Sequence, residues 1–428
     1  MKNPRQGTRA LTKLAGAIAA LGMIVLGTTA PAQKLLQFPE RLQAAEGQDV
    51  LVPWSRWLPL SVATGTGRPV MVTGAAGLDF ETPASGHYLL HFRLFGWLPW
   101  RGLPVDVSKP IYVVPGGESV GVLVRTRGLI VTSLSPVRAE NRVLEPAAAA
   151  GVERGDVITR IDGQPAETVK LLEDRVRQDG AHHQMVHLRV MGARSERERV
   201  VQPVWSRRTQ RWQIGVDVQD RTSGVGTLTF YNPKTFQYTA LGHSMTDGLT
   251  RRPVSVRIGR AIGAEIVGVV PATDTQPGQK VGVLAGPNNI SGSVSFNGMF
   301  GIVGRLDHAP LWGPERPLPI AMPDQVRVGP ATIVTVLHGQ VPVQYQVEIL
   351  KTAAQYAPNT KGLLFRVTDP RLLRKTGGVI QGMSGSPIIQ NGRVVGAVTH
   401  VLISRPTLGF GCYAYWMEQQ SSYRQAPA

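Results

Sequence analysis

Short apolar runs separated by glycine and proline turns dominate the chain from about residue 85 onward. Alternating apolar positions in residues 88–94 and compact runs such as Gly226–Tyr231 and Ala331–Leu337 are typical of β-strands. Val341–Leu350 and Gly362–Thr368 in the second half also predict strands. Long helical periodicity is absent until the C-terminal tail. The pattern therefore predicts a mainly β protein.

Residues 110–205 combine strands and helices in an order of their own. Gly121–Val124 and Leu129–Ser133 predict strands, and Glu145–Gly163 predicts a short helix, a Gly-Asp turn, a strand and a tight Asp-Gly turn. A helix ending at Gly180 and two further strands follow. The run AAAAGVERGDVITRIDGQPAE within this region resembles a PDZ domain.

The resemblance implies a groove that holds an extended peptide, often a C-terminus, as an added strand beside a helix. In PDZ domains the backbone amides of a hydrophobic-Gly-hydrophobic loop receive the peptide carboxylate, and Val120, Gly121 and Val122 match that loop. The alternative is a structural module whose groove is empty or filled by its own chain.

The rest of the chain divides around this region. Residues 33–109 predict a small β-rich region without identifiable chemistry, and residues 206–428 carry many short strands with Gly and Pro turns. Such a pattern over roughly 200 residues predicts a barrel or a pair of barrels.

Composition narrows the partners more than the activity. The net charge of +17 favours anionic partners, but the basic residues are scattered, and no basic helix or aromatic-interleaved stripe indicates nucleic-acid binding. Solvated basic faces, with a weak attraction to an anionic membrane surface, are the expectation. The single cysteine, Cys412, forms no internal disulfide and offers no metal-ligand cluster, so no metal or organic cofactor is predicted.

The N-terminus predicts export. Lys2, Arg5, Arg9 and Lys13 precede an apolar stretch that ends near Gly27, and Ala30-Pro31-Ala32 forms a small-x-small site. Residues 1–32 are therefore interpreted as a signal segment, either cleaved or retained as a membrane anchor.

The strongest chemical signal is the segment Gln381–Gln390 followed by Asn391–His400. A loop of small residues leads into a strand, an Asn-Gly turn and a second strand, which predicts a hairpin. Ser384 in this loop is a candidate nucleophile, and the amides of Gly382 and Ser384 are candidate oxyanion donors. The α/β-hydrolase elbow does not fit, because Ser386 replaces the second glycine and a strand follows. A chymotrypsin-type loop fits directly.

A serine nucleophile needs a base. His243 ends a predicted strand in YTALGHSMTD and precedes Ser384 in the sequence by about the length of one and a half barrels, as expected when the histidine lies in the first barrel and the serine in the second. His308, His338 and His400 remain alternatives.

The motifs ALGHSMTD, TDPRLLRKTGGVIQGMSGSPIIQNGRVVGAVTHVL and VVPGGESVGV, together with the order signal, PDZ, protease, resemble the stage IV sporulation protein B peptidases. The resemblance implies His243 as catalytic histidine, Ser384 as nucleophile and Asp369 as a third triad member. Asp369 lies close to Ser384 in sequence, whereas the orienting aspartate usually comes earlier, so the rivals remain open: Asp247, Asp307 and Asp324.

The resemblance also implies a role. Such peptidases are secreted into the space between the two forespore membranes, cleave themselves, and cut the extracytoplasmic part of a membrane protein, which releases sigma factor K. The PDZ domain is expected to contact a membrane-bound partner or the enzyme's own chain. Two alternatives are a catalytically silent PDZ scaffold and an envelope stress protease, although the latter type places its PDZ domain after the protease domain.

Overall fold

The computed structural model describes residues 40–47, 49–53, 60–64, 72–74, 77–82, 84–95, 97–140, 142–192, 195–273, 275–285, 290–312, 316–353 and 357–423. The predicted signal segment, residues 1–32, lies outside the described residues. The chain forms two compact units, one from residues 1–111 with 321–326, and the other from 112–320 with 327–428.

The first unit contains two small sheets and a 3₁₀-helix, Pro323–Gln325. A four-stranded sheet has the order β1-β7-β6-β3, and a three-stranded sheet has the order β2-β5-β4. Leu90, Phe92, Leu103 and Val105 on β6 and β7 are buried, as alternation on paired strands predicts. The strands are β1 (Leu42–Ala45), β2 (Asp49–Pro53), β3 (Leu60–Thr64), β4 (Val72–Gly74), β5 (Gly77–Glu81), β6 (Gly86–Leu94) and β7 (Leu98–Ser108).

The second unit contains two closed six-stranded barrels. The first closes because its first strand, β9, pairs with both β18 and β20, so Val122 faces Gly224 on one side and Ala261 on the other. Its strands, in order around the barrel, are β9 (Ser119–Leu134), β20 (Val256–Val270), β22 (Ser291–Gly298), β23 (Gly301–Leu306), β19 (Gln237–Leu241) and β18 (Val216–Tyr231). Shorter strands extend its edges: β8 (Tyr112–Pro115), β21 (Gln279–Leu284) and β24 (Leu318–Pro319).

The second barrel closes where β25 pairs with β28, through Thr332 opposite Ile389. Ile333, Phe365 and Ile388 fill its interior and are fully buried. Its strands, in order, are β25 (Gly329–Thr335), β26 (Val343–Thr352), β27 (Leu363–Val367), β30 (Leu408–Tyr413), β29 (Arg393–Val401) and β28 (Pro387–Gln390). Two helices accompany it, α3 (Pro370–Thr376) and α4 (Ala414–Tyr423). The predicted mainly β, chymotrypsin-like double barrel is confirmed.

An α/β module is inserted between β9 and β18 of the first barrel. Both strands are 16 residues long, and their ladder runs from Ser119 opposite Thr227 to Leu134 opposite Val216. One half of the ladder belongs to the barrel, and the other half belongs to the module, whose core includes Leu129 and Ile158. The barrel thus takes its first strand from the segment that the sequence analysis assigned to the PDZ-like region, because apolar alternation does not reveal which sheet a strand joins.

The module has one long helix packed over a small sheet. Helix α2 (Val169–Ala181) begins at the N-cap Thr168, whose side chain accepts a hydrogen bond from the Leu171 N–H, and it buries Leu172 and Val176. The other elements are β10 (Val137–Arg138), β11 (Val143–Leu144), α1 (Pro146–Ala149), β12 (Val157–Ile161), β13 (Gln164–Pro165), β14 (Val186–Met191), β15 (Glu196–Val201), β16 (Val204–Ser206) and β17 (Arg211–Gln213). Among the helices within the described ranges, none combines the length and apolar character needed to cross a bilayer.

The first barrel contains an unusual buried acid. Glu118, next to the start of β9, is only 1% exposed, and both of its carboxylate oxygens lack a hydrogen-bond partner within the described structure. Burial raises the pKa of this carboxyl group to about 8, because the charged form loses its hydration.

Glu118→Gln should therefore change how stability depends on pH. Between its ordinary pKa of 4.5 and about 8, folded Glu118 holds a proton that the unfolded chain releases, so its contribution to stability falls as pH rises through this window. We expect the variant to gain stability over the wild type as pH rises from 5 to 9. Urea unfolding at both pH values measures this difference, and parallel profiles would contradict it.

Candidate active site

His243 leaves the first barrel through a turn that brings it against the second. Leu241 and Gly242, the last residues before it, have φ angles of 79° and 69°, a conformation that L-residues rarely adopt. A Cβ on Gly242 would lie 2.9 Å from the carbonyl oxygen of Val398 on β29. Glycine at 242 thus allows the end of β19 to contact β29, the second strand of the hairpin that follows Ser384.

The contacts of His243 select one tautomer. Its Nδ1 lies 2.9 Å from the carbonyl oxygen of Ser244. Because a carbonyl can only accept, Nδ1 carries the proton and the neutral ring has its lone pair on Nε2. This is the form that a general base requires.

The nucleophile loop is held in place by left-handed glycines. Gly382 and Gly385 flank Ser384 with φ angles of 92° and 93°. A Cβ on Gly385 would lie 2.3 Å from the Thr227 carbonyl oxygen and 2.5 Å from the Leu241 nitrogen. Any side chain there would push the loop away from the first barrel.

Thr227 on β18 binds this loop through both its backbone and its side chain. Its N–H donates to the Ser384 carbonyl (3.0 Å), and its hydroxyl donates to the Gly382 carbonyl (2.8 Å). Thr227 is fully buried. Sequence reasoning missed this residue, since a threonine in a strand is an ordinary β-former and nothing local marks its partner.

The two predicted oxyanion donors are unpaired, while the peptide groups that carry them are fixed. The Gln381 carbonyl accepts from the Lys280 N–H (2.9 Å), and the Met383 carbonyl accepts from the Ser386 N–H (2.9 Å). In a trans peptide the N–H points opposite the carbonyl, so the amides of Gly382 and Ser384 face away from these bonds. No acceptor among the described residues takes either N–H. Both remain available for a developing negative oxygen.

Ser384 and His243 each contact a residue near the end of β29. The Ser384 hydroxyl donates to the Thr399 carbonyl (3.1 Å), and the ring of the next residue, His400, lies 5.3 Å from the ring of His243. Hydrogen bonds between nucleophile and base often form only when substrate is bound. Thr399 and His400 are adjacent in β29, so the two predicted residues, which come from different barrels, lie near the same part of this strand.

Lys280 supports the loop from the first-barrel side. It is buried, its methylene groups lie 3.1–3.2 Å from the position of a Cβ on Gly382, and its ammonium donates to the hydroxyls of Ser119 and Thr335. Burial lowers the pKa of this amine to about 7. A lysine in an exposed-looking strand pattern carries no local signal for this role.

Asp369 does not hydrogen-bond to His243, and its assignment as the third triad member is corrected. It is the N-cap of α3, where its carboxylate accepts from the Arg371 N–H (2.9 Å), the Gln346 N–H (3.1 Å) and the Arg371 guanidinium (2.8 Å). The Arg371 hydrogen bond holds the pKa of this carboxyl well below its usual range. The sequence Asp369-Pro370 indicates this role locally, since Asp at the N-cap followed by Pro at the first helical position is a typical helix start.

The rival aspartates are also held elsewhere. Asp247 accepts from the amides of Leu249 and Thr250 in a turn, and Asp307 accepts from Ser291 and Arg260. Asp324 belongs to the first unit, where it accepts from the Gln43 N–H. In the part of the chain that the structure describes, the contact to Nδ1 of His243 is the Ser244 carbonyl. Of the alternative histidines, His400 lies beside His243, whereas His338 lies between β25 and β26.

Val120, Gly121 and Val122 are not a carboxylate-binding loop, and this prediction was wrong. They lie inside β9, paired to β18 and β20, and both valines are fully buried. Their backbone groups serve the barrel ladders and cannot receive a ligand. A second hydrophobic-Gly-hydrophobic triplet, Ile214-Gly215-Val216, lies at the module, where Ile214 joins the core.

The helix of the module is covered in part by its own chain. A Cβ on Gly180 of α2 would lie 2.5 Å from the ring of Trp212 on β17, and that ring also packs edge-on against Trp205 at 5.6 Å. This contact agrees with the alternative that the chain itself fills part of a groove beside the helix.

A protein-family model matches part of the chain. Residues 210–418, slightly less than half of the chain, match the model of the family described as SpoIVB peptidase S55. The chain is therefore a serine peptidase. The range contains His243 and Ser384 but not the first barrel strand, β9.

Two solved structures are reported for similarity alone. The active form of the Rv3671c protease from M. tuberculosis has 15% identity and a TM-score of 0.28, covering 48% of this chain and 76% of that one. The inactive form of the Rv3671c protease has 14% identity and a TM-score of 0.26, covering 47% and 85%. A search of curated proteins found no match.

Asp369→Ala should cost stability rather than chemistry. The variant removes the cap of α3 and leaves the Gln346 N–H unpaired, so we expect the free energy of unfolding to fall by about 2 kcal/mol. The labelling rate of Ser384 by a fluorophosphonate, measured on folded protein, should stay within about threefold of wild type. Asp369→Asn keeps a capping side chain and should lose less stability. A hundredfold loss of labelling in folded Asp369→Asn would restore the triad assignment.

Thr227→Val should slow Ser384 without unfolding the barrel. Losing the hydroxyl frees the Gly382 carbonyl, and we expect labelling to slow about tenfold, since one such hydrogen bond contributes roughly 1–2 kcal/mol. Thr229→Val on the same strand is the matched control, because Thr229 is equally buried but its hydroxyl has no partner in the described structure. Thr227→Ser should recover most of the rate. Equal rates for the two valine variants would contradict the role of Thr227.

Proposed function

We propose that the chain is an endopeptidase that uses Ser384 as nucleophile and His243 as general base. Nε2 of His243 takes the proton of the Ser384 hydroxyl as its oxygen attacks a peptide carbonyl. The carbonyl oxygen becomes an anion held by the N–H groups of Gly382 and Ser384. The protonated imidazole then gives its proton to the leaving amine, and water, activated by the same ring, hydrolyses the acyl-enzyme.

One observation carries this proposal: the N–H groups of Gly382 and Ser384 are both unpaired while the carbonyls of the same peptide groups are hydrogen-bonded. An ordinary glycine turn satisfies its amides or exposes them in no fixed direction. Here the donors are fixed before substrate arrives, which is the condition for stabilising a transition-state charge without reorganisation. The contact of His243 Nδ1 with the Ser244 carbonyl supports His243 as the base, because it leaves Nε2 with the lone pair that accepts a proton.

The finer biological role follows from the family resemblance. We propose an exported peptidase that cleaves itself and an extracytoplasmic substrate at a membrane surface during sporulation signalling, leading to activation of sigma factor K. The basic net charge of +17 supports attraction to an anionic membrane. The inserted module, with its PDZ-like motif, is proposed to bind a peptide or the enzyme's own chain.

The catalytic assignment predicts loss of both self-cleavage and labelling in two variants. Ser384→Ala and His243→Ala should each reduce self-cleavage, followed by intact-mass analysis, by at least about 10³-fold. A fluorophosphonate should modify wild-type Ser384 and leave Ser384→Ala unmodified.

Two surface variants serve as matched controls. Ser404→Ala and His187→Ala remove the same side-chain types from exposed positions and should behave as wild type. Self-cleavage at the wild-type rate in folded Ser384→Ala would contradict the assignment of Ser384 as the nucleophile. Failure of the wild type to label at all would favour a silent scaffold.

A further inference from the structure

Three basic side chains from separate segments lie near one another around β29, whose Thr399 carbonyl accepts from the Ser384 hydroxyl. His243 comes from the end of β19, and His400 comes from β29, with their rings 5.3 Å apart. Lys361 comes from the segment before β27. Its ammonium lies 5.2 Å from the centre of the Phe410 ring, and Phe410 is the strand partner of His400.

Direct bonds hold the Lys361 segment beside the nucleophile. The hydroxyl of Thr399 lies within hydrogen-bonding distance of the carbonyls of Thr360 (3.2 Å) and Phe410 (3.1 Å), and the carbonyl of Thr399 accepts from the Ser384 hydroxyl (3.1 Å). One residue of β29 thus joins the nucleophile on one side and the residue before Lys361 on the other. The position of the lysine backbone is therefore set relative to the reacting hydroxyl.

His400 is exposed and lies beside His243. The pairing of β29 with β30 is irregular between Val398 and His400, and there Thr399 is 2% exposed, whereas His400 is exposed with its ring 5.3 Å from that of His243. Lys361 is exposed as well. Both side chains can therefore touch a bound substrate.

The cluster has no acidic partner in the described structure. None of the ion pairs among the described residues includes His243, His400 or Lys361. Burial, and then the charges of His243 and Lys361, lower the pKa of His400, which means that the neighbouring groups disfavour its own positive charge. An anion placed among these groups would relieve that repulsion.

We propose that this basic cluster binds a carboxylate of the substrate next to the scissile bond, held by His400 and Lys361. The proposal rests on Ser384 being the nucleophile. It makes acidic peptides the preferred substrate class, and the carboxylate comes either from an aspartate or glutamate side chain or from a free C-terminus.

Fluorescence-quenched peptides test this preference. A positional set places Glu, Gln or Lys at each of the sites flanking the cleaved bond, and each peptide is made with a free and an amidated C-terminus. We expect kcat/KM for Glu to exceed that for Gln by about fivefold at one site, with Lys lowest, as one partly exposed charge pair with Lys361 and a hydrogen bond from His400 allow. The ratio should fall as salt is added. A difference only between free and amidated peptides would assign the C-terminal carboxylate instead.

Variants assign the preference to the cluster. Lys361→Met and His400→Gln should each reduce the Glu-to-Gln ratio, and the double variant should bring it near one. Lys375→Met removes an exposed positive charge from α3 and should leave the ratio as in the wild type. An unchanged ratio in the double variant, or a wild-type ratio near one at every site, would overturn the proposal.

Two further outcomes separate this proposal from the catalytic one. Wild-type enzyme that labels with a fluorophosphonate and cleaves peptides without acidic preference would refute the carboxylate site alone. Wild-type enzyme that neither labels nor cleaves would refute both. If His400→Gln abolishes labelling as completely as His243→Ala, His400 is the base and the carboxylate site is wrong.

Discussion

The docking of the nucleophile loop onto β18 is the constraint on which the site depends. Ser384 lies beside the first strand of the hairpin in the second barrel, and the proposed general base, His243, follows β19 of the first barrel, so neither barrel alone carries both groups. Thr227 hydrogen-bonds the carbonyls of Gly382 and Ser384, and Gly385 leaves the space that this contact needs. These few contacts hold the nucleophile loop against the first barrel and fix the direction of the oxyanion donors.

A polar layer beneath the loop accompanies this docking. Lys280 and Thr335 are buried together, and Glu118 lies one residue from Ser119, whose hydroxyl binds the lysine ammonium. Buried ionisable groups without an opposite charge reduce stability, and interiors usually avoid them. Their presence next to the catalytic loop is consistent with the tendency of perturbed groups to cluster at functional sites.

The inserted module shares its backbone with the first barrel. Since β9 and β18 run without interruption from one to the other, a force or a bound ligand on the module acts on strands that also form the barrel wall. The same β18 carries Thr227 at its far end. The module and the nucleophile loop are thus joined by one continuous pair of strands, rather than by a linker.

The sequence by itself determined the mainly β class and the hairpin after Ser384, and it predicted the pairing of the serine loop with His243. Each of these depends on residues that are neighbours in the chain, where spacing and turn chemistry carry the information. Local patterns failed where a partner lies far away in sequence. Asp369 looked like a triad member until its bonds to Gln346 and Arg371 showed a helix cap, and Val120-Gly121-Val122 looked like a loop until two ladders showed a central barrel strand. Tertiary structure alone decided these roles, together with those of Thr227, Lys280 and His400, because hydrogen bonding and burial depend on which strands meet in space, and no spacing rule along the chain records that.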